Sequence, residues 1–182
     1  MIKLAEKNIQ HNDIDNLINW LASTDRYTKG EQTIKFEEEW SSWQNCKYSV
    51  FVNSGSSANL LLVASLLYSN RLRNKKIIVP AVSWVTTVSP AIMLGLEPIL
   101  CDADENNLGF SIEDFEYLCK KHRPAAAMLV HVLGHANHMK EILKICDEYG
   151  VLLIEDSCEA HGSTYNGKKV GNFGIASTFS FY

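Results

Sequence analysis

Val151-Leu152-Leu153-Ile154-Glu155-Asp156-Ser157-Cys158-Glu159-Ala160-His161-Gly162 is a short aliphatic run that ends in three acids within five residues. Four aliphatic residues bounded by Gly150 and by charge read as a fully buried parallel strand. The acids then stand at its carboxyl end, which is where open α/β sheets bind ligands. A carboxylate fixed there can hold a proton on a cofactor or substrate nitrogen.

Upstream of this strand, helical and strand patterns alternate. Ile14, Leu17, Ile18 and Leu21 mark one helix, and Phe36, Trp40 and Trp43 a second, both with the look of packing faces. A strand at Tyr48–Val52, a helix from Ser56 to Leu67, a strand at Ile77–Val79, a helix from Trp84 to Leu94 and a strand at Pro98–Asp102 follow. Ser111 opens a capped helix through Ile112, Phe115 and Leu118. Strand Ala126–Val132 and a helix through Met139, Ile142 and Ile145 lead into the acidic segment. A βαβ series of this kind predicts an α/β fold with a mostly parallel sheet and helices on both faces. Tyr165-Asn166-Gly167-Lys168 is a two-residue hairpin signal, and Ile175–Tyr182 reads as a last strand. A chain stopping inside a strand leaves an unpaired edge, so the 182 residues read as the front part of a longer protein.

Composition is that of an ordinary globular chain, with 46% hydrophobic and 21% charged residues. A net charge of −4 with no basic stripe argues against nucleic acid. No apolar run approaches the roughly 20 residues that span a bilayer, and the first residues lack a signal-peptide core, so the cytoplasm is the expected location. Five dispersed cysteines point to reduced thiols rather than a disulfide framework.

The candidate chemistry lies in four places. In Val52-Asn53-Ser54-Gly55-Ser56-Ser57-Ala58-Asn59 a glycine turn enters a helix whose first residues are hydroxylated. This is an anion cradle or a plain serine cap. It lacks the Walker and GxGxxG signatures. Trp84, after Pro80, is either core or a flat surface for a planar ring. Ser180 lies between aromatics, as a cradle hydroxyl or as a hydrogen-bonded strand serine. His131, His135 and His138 have spacing that only loosely resembles metal ligands, spread over a strand end and a loop, and no metal is expected.

In order and context these motifs resemble the DegT/StrS family of sugar aminotransferases, which are fold-type-I pyridoxal phosphate (PLP) enzymes. The resemblance runs from Tyr27-Thr28-Lys29-Gly30 through Ser54–Ala58, Val79–Trp84 and Glu155-Asp156 to Thr178–Tyr182. It implies a three-layer α/β large domain, truncated here, across residues 1–182, with the small C-terminal domain absent. It also implies that Ser56, Ser57 and Ser180 hold the cofactor phosphate, Trp84 stacks on the ring, Asp156 binds the pyridinium nitrogen and Glu159 lies near the ring's phenolic oxygen. The family's catalytic residue falls five positions after Ser180, outside the sequence given, so this stretch alone is expected to be inactive.

Aminotransferases of the family carry lysine at that position, whereas the 3-dehydrases of nucleotide-linked 4-keto-6-deoxyhexoses carry histidine and use pyridoxamine phosphate (PMP). Val79–Trp84, Glu159 and Ser177–Tyr182 resemble the dehydrase branch. The expectation is therefore C3 dehydration of a nucleotide-linked ketosugar in deoxysugar biosynthesis. Transamination at C3 or C4 is the alternative, and a non-catalytic regulatory relative stands behind both. The resemblance further implies a homodimer and leaves room for a reductase partner.

Overall fold

The structure, a computed structural model, describes residues 9–181. In chain order the elements are α1 (His11–Ser23), α2 (Glu31–Gln44), α3 (Gly55–Tyr68), β1 (Lys76–Pro80), α4 (Val85–Met93), β2 (Glu97–Cys101) and α5 (Ile112–His122). They continue with β3 (Ala126–Val130), a 3₁₀ turn Val132–Gly134, α6 (Met139–Tyr149), β4 (Leu152–Asp156), β5 (Thr164–Tyr165), β6 (Lys168–Lys169) and β7 (Ser177–Thr178). The described chain divides into two units, one of residues up to 43 with 47–51, the other of 44–46 with 52 onward.

In the first unit the spacing of Ile14, Leu17, Ile18 and Leu21 produces α1 as expected, but the stripe is 42–56% exposed and α1 buries no residue. Along α2, Phe36 stacks on Trp40 at 6.0 Å and meets Phe51 edge-on at 5.3 Å. The segment Tyr48–Val52, expected as a strand, forms no ladder. Its polar groups are spent locally: the Phe51 N–H donates to Glu37 Oε1 at 2.8 Å and the Ser49 hydroxyl to the Glu37 carbonyl at 2.5 Å. A β-like composition was overridden by a neighbouring helix that takes the donors.

The second unit holds a five-stranded parallel sheet in the order β2-β1-β3-β4-β7. Alternation along each strand divides its core between two faces. Ile77, Val79, Ala126, Met128 and Ile154 pack with Val63 and Leu66 of α3 and Ala91 of α4. Ile78, Ala127, Leu129 and Leu153 face the other way, onto Phe115 and Leu118 of α5 and Ile142 and Ile145 of α6. The result is the expected three-layer α/β architecture.

Strand order reverses between β1 and β3, since β2 was added on one side of β1 and β3, β4 and β7 on the other. In open α/β sheets ligands bind near such a reversal at the carboxyl ends of the strands, the side on which Trp84, His131 and Asp156 follow or end their strands. The hairpin of β5 and β6 forms as expected, with Asn166 and Gly167 both left-handed at φ 50° and 78°. The last strand is shorter than its apolar run: only Ser177–Thr178 pairs with β4, and Tyr182 lies outside the described residues.

Candidate active site

Alternation in β4 sends its two terminal acids to opposite faces. Asp156 follows Ile154 toward α3 and α4, and Glu155 follows Leu153 toward α5 and α6. Asp156 is 3% exposed. Its Oδ2 accepts from Asn59 Nδ2 at 2.9 Å and from the Thr87 hydroxyl at 2.8 Å, and its Oδ1 accepts the Cys158 N–H at 3.1 Å. The Cys158 thiol also leans on this carboxylate. Burial first, and the Asp156 charge second, push that thiol well above its ordinary range, so it stays a neutral, weak donor.

The serine cluster lies at the start of α3, which begins at Gly55, one residue earlier than expected. Ser54 is the N-cap, accepting the Ser57 N–H at 3.2 Å and donating to the Ser57 hydroxyl at 3.2 Å. The cap reading thus applies to Ser54. That leaves Ser56 exposed in the first turn, where unpaired helix N–H groups and the helix dipole favour an anion. Ser180, far away in sequence, closes the same spot: a Cβ on Gly55 would lie 2.6 Å from the Ser180 Cβ and 3.0 Å from the Cys158 Sγ. Gly55 is therefore required by the close approach of three segments. Ser180 is flanked by Phe179 and Phe181, whose rings stand 5.5 and 5.0 Å from that of His161.

Trp84 is 69% exposed at the N-cap of α4, and its carbonyl accepts the Thr87 N–H at 3.0 Å. The indole is not core. One helical turn separates it from the Thr87 hydroxyl on Asp156, which brings Trp84, Asp156, Ser180 and the start of α3 to one side of the sheet. Glu159 is exposed and spends one oxygen on the Leu133 N–H at 2.7 Å, satisfying a residue in left-handed conformation at φ 51°.

Glu155 and two histidines have other partners. Glu155 is fully buried and accepts from the Phe173 and Gly174 N–H groups on Oε1 at 2.7 and 2.6 Å. Its Oε2 faces the Gly171 N–H at 2.8 Å and His131 Nε2 at 3.0 Å. The Asn137 N–H points at His131 Nδ1, so the proton sits on Nε2 and is donated to Glu155. Burial pushes the Glu155 carboxyl up, but the His131 hydrogen bond and then the Gly174 and Gly171 N–H groups outweigh it and hold it below its ordinary value. His138 pairs with Asp104 at 3.6 Å. Among the described residues no three His, Cys, Asp or Glu side chains are arranged to hold a metal ion.

Three residues of the Asp156 environment, Asn59, Thr87 and Thr178, escape a reading of the sequence. The only local signal for them is position: Asn59 is two residues past Ser57 on the cradle helix, and Thr87 is one turn past Trp84.

Comparison with known proteins bears on the family and the fold. A model of the DegT/DnrJ/EryC1/StrS aminotransferase family matches residues 8–182. The chain is 40% identical over 159 residues to the GDP-4-keto-6-deoxy-D-mannose 3-dehydratase of Escherichia coli O55:H7, covering 86% of this chain and 41% of that protein. It is 32% identical over 182 residues to the GDP-perosamine synthase of Vibrio cholerae, covering 48% of it. The solved structure of the E. coli GDP-4-keto-6-deoxy-D-mannose-3-dehydratase with bound hydrated PLP matches with a TM-score of 0.92 at 36% identity, over 98% of this chain and 46% of that one. The aminotransferase from Psychrobacter cryohalolentis matches with a TM-score of 0.85 at 26% identity, over 96% and 43%. The chain spans less than half the length of each of these relatives. By its matched length and its fold, the chain belongs to the DegT/DnrJ/EryC1/StrS aminotransferase family.

Proposed function

We propose that this chain is the cofactor-binding part of a PLP- or PMP-dependent enzyme that removes the C3 hydroxyl of a nucleotide-linked 4-keto-6-deoxyhexose. The observation that carries the reading is Asp156, a buried carboxylate at the end of β4, held by Asn59 and Thr87 on the same side as the serine-lined start of α3.

The residues fit the group. Ser180 packs against Gly55 beside the first turn of α3, where Ser56 is exposed and helix N–H groups lack intrahelical partners, and this grouping suits a phosphate. Trp84 offers an exposed indole face for a planar ring. Asp156 has three firm donors and one weak thiol contact, so one acceptor position can be surrendered to a ring N–H. When bound, the cofactor supplies an electron sink for carbanion chemistry. In this reading Asp156 keeps the proton on the ring nitrogen, Ser56, Ser57 and Ser180 bind the phosphate, and Trp84 orients the ring. Glu159 stands beside the ring's phenolic oxygen.

Dehydration rather than transamination is favoured by the 40% identity to a GDP-4-keto-6-deoxy-D-mannose 3-dehydratase against 32% to a GDP-perosamine synthase. The same similarity supports a GDP-linked sugar as substrate. A homodimer, a cytoplasmic place of action and an optional reductase partner complete the reading. No helix among the described residues is long and apolar enough to cross a membrane.

Two measurements test it. Full-length protein supplied with PLP, an amino donor and GDP-4-keto-6-deoxy-D-mannose is expected to yield a sugar lacking the C3 oxygen by mass spectrometry. An amine in place of the carbonyl assigns the protein to the aminotransferases, and PLP binding without turnover assigns it to the non-catalytic relatives. Lysine five positions after Ser180 overturns dehydration on its own.

A further inference from the structure

Asn59 is 1% exposed in the second turn of α3 and makes hydrogen bonds at both ends of its amide. Nδ2 donates to Asp156 Oδ2 at 2.9 Å, and Oδ1 accepts from the Thr178 hydroxyl at 2.6 Å. Asp156 and Thr178 are register partners on the neighbouring parallel strands β4 and β7, so Asn59 bridges the two strands from the helix above them. An ionised carboxylate only accepts, so the amide must present its NH2 group to Asp156. The Thr178 hydroxyl donates to the other end and anchors the amide to the neighbouring strand.

The same helix carries Ser56 and Ser57 in its first turn, and the strand end that Asn59 grips leads two residues later to Ser180. One rigid element thus ties the phosphate cradle to the carboxylate assigned to the ring nitrogen. The distance between those two points has to match a fixed length in the cofactor, from its phosphate to its ring nitrogen. Resting on the proposed cofactor reading, we propose that Asn59 is a positioning residue. Anchored on Thr178 of the neighbouring strand, it holds Asp156 in register with the phosphate cradle so that ring and phosphate are bound together.

The test compares PLP with its 1-deaza analogue, in which CH replaces the ring nitrogen, by equilibrium titration of the full-length protein. Wild type is expected to prefer PLP. Asn59→Asp keeps the size of the side chain but sets an acceptor against Asp156, and Thr178→Val removes the anchoring donor at constant shape. Asn59→Asp is expected to cut the preference at least about tenfold, and Thr178→Val less, with affinity for the analogue changed by under about threefold. A merely structural role would weaken both ligands alike, and that result overturns the proposal. Variants that keep the wild-type preference overturn it as well, leaving the cofactor reading intact. Wild type that binds neither ligand, or binds both equally, overturns the assignment of Asp156 and the proposal with it. If Asn59→Asp fails to fold, Thr178→Val carries the same comparison.

Discussion

Glu155 and Asp156 are neighbours in β4, both buried, and they do opposite jobs. Glu155 faces α5 and α6 and takes four firm donors, three of them backbone N–H groups from residues 171–174. That count fills a carboxylate's acceptor capacity, so Glu155 is a clamp that fixes the loop entering β7. Asp156 faces α3 and α4, takes side-chain donors from two helices, and meets its fourth contact in a weak thiol. A saturated acid stabilises a fold, and an acid with one weak contact can exchange it for a ligand. Two adjacent carboxylates are thus told apart by the strand's alternation and by the firmness of their last partner.

The largest expected effect follows from emptying the clamp. Glu155→Ala leaves three buried N–H groups and His131 Nε2 without an acceptor. Loss of about 3–5 kcal/mol in urea unfolding is expected, since breaking a buried pair strands its partners. Asp156→Asn, by contrast, keeps an acceptor oxygen and most of the packing. It should cost about 1–2 kcal/mol in stability while weakening PLP binding at least about tenfold. Equal stability losses in the two variants would erase the distinction.

The clamp also carries a pH signature. Glu155 is held below its ordinary value near 4.5, so the folded state binds fewer protons there than the unfolded one. Its contribution is present above the unfolded value and lost as pH falls through the folded one. Acid unfolding of the wild type should therefore steepen below about pH 4.5, and Glu155→Gln should flatten that limb. An unchanged limb in the variant would mean that other carboxylates carry the acid transition.

Glycines on the two sides sharpen the comparison further. Gly171, at φ 85°, has Phe179 Cζ 2.6 Å from where a Cβ would go, and its N–H serves Glu155. Gly171→Ala is expected to cost about 1–3 kcal/mol in thermal or urea unfolding. Gly55→Ala pushes on Ser180 and Cys158 instead, so its effect should appear mainly in binding of the phosphate-bearing cofactor, measured by titration.

The legible part of this molecule was the part written in local pattern. Short aliphatic runs bounded by charge, proline or glycine gave away β1, β3 and β4, and Asn166-Gly167 gave away the hairpin, because buried parallel strands and type I′ turns have short-range signatures. Tyr48–Val52 misled because its β-like composition says nothing about Glu37, which takes its donors from an adjacent helix. Asp156 stood out as an acid at a strand end. Its surroundings did not, since its donors Asn59 and Thr87 and its register partner Thr178 are 97, 69 and 22 residues away and are ordinary polar residues in their own segments. Glu155 had no role in the sequence for the same reason: its partners are backbone N–H groups of a loop, which no residue type announces.

Glu159 supplies the smallest effect and the finest division. It is exposed, and it accepts the Leu133 N–H at 2.7 Å. Glutamine at 159 retains an acceptor oxygen of the same reach, so the left-handed Leu133 keeps its partner and the fold loses only charge at the surface. Glu159→Gln should change stability by less than about 0.5 kcal/mol, or roughly 1–2 °C in a thermal melt of a chain this size. If the proposed place of Glu159 beside the ring's phenolic oxygen is right, the same variant shifts the absorbance of bound PLP, because a neutral amide replaces a negative charge next to the chromophore. An unchanged melt with a shifted spectrum separates Glu159 from the clamp and joins it to Asp156. An unchanged melt with an unchanged spectrum leaves it as the cap of the 3₁₀ turn alone.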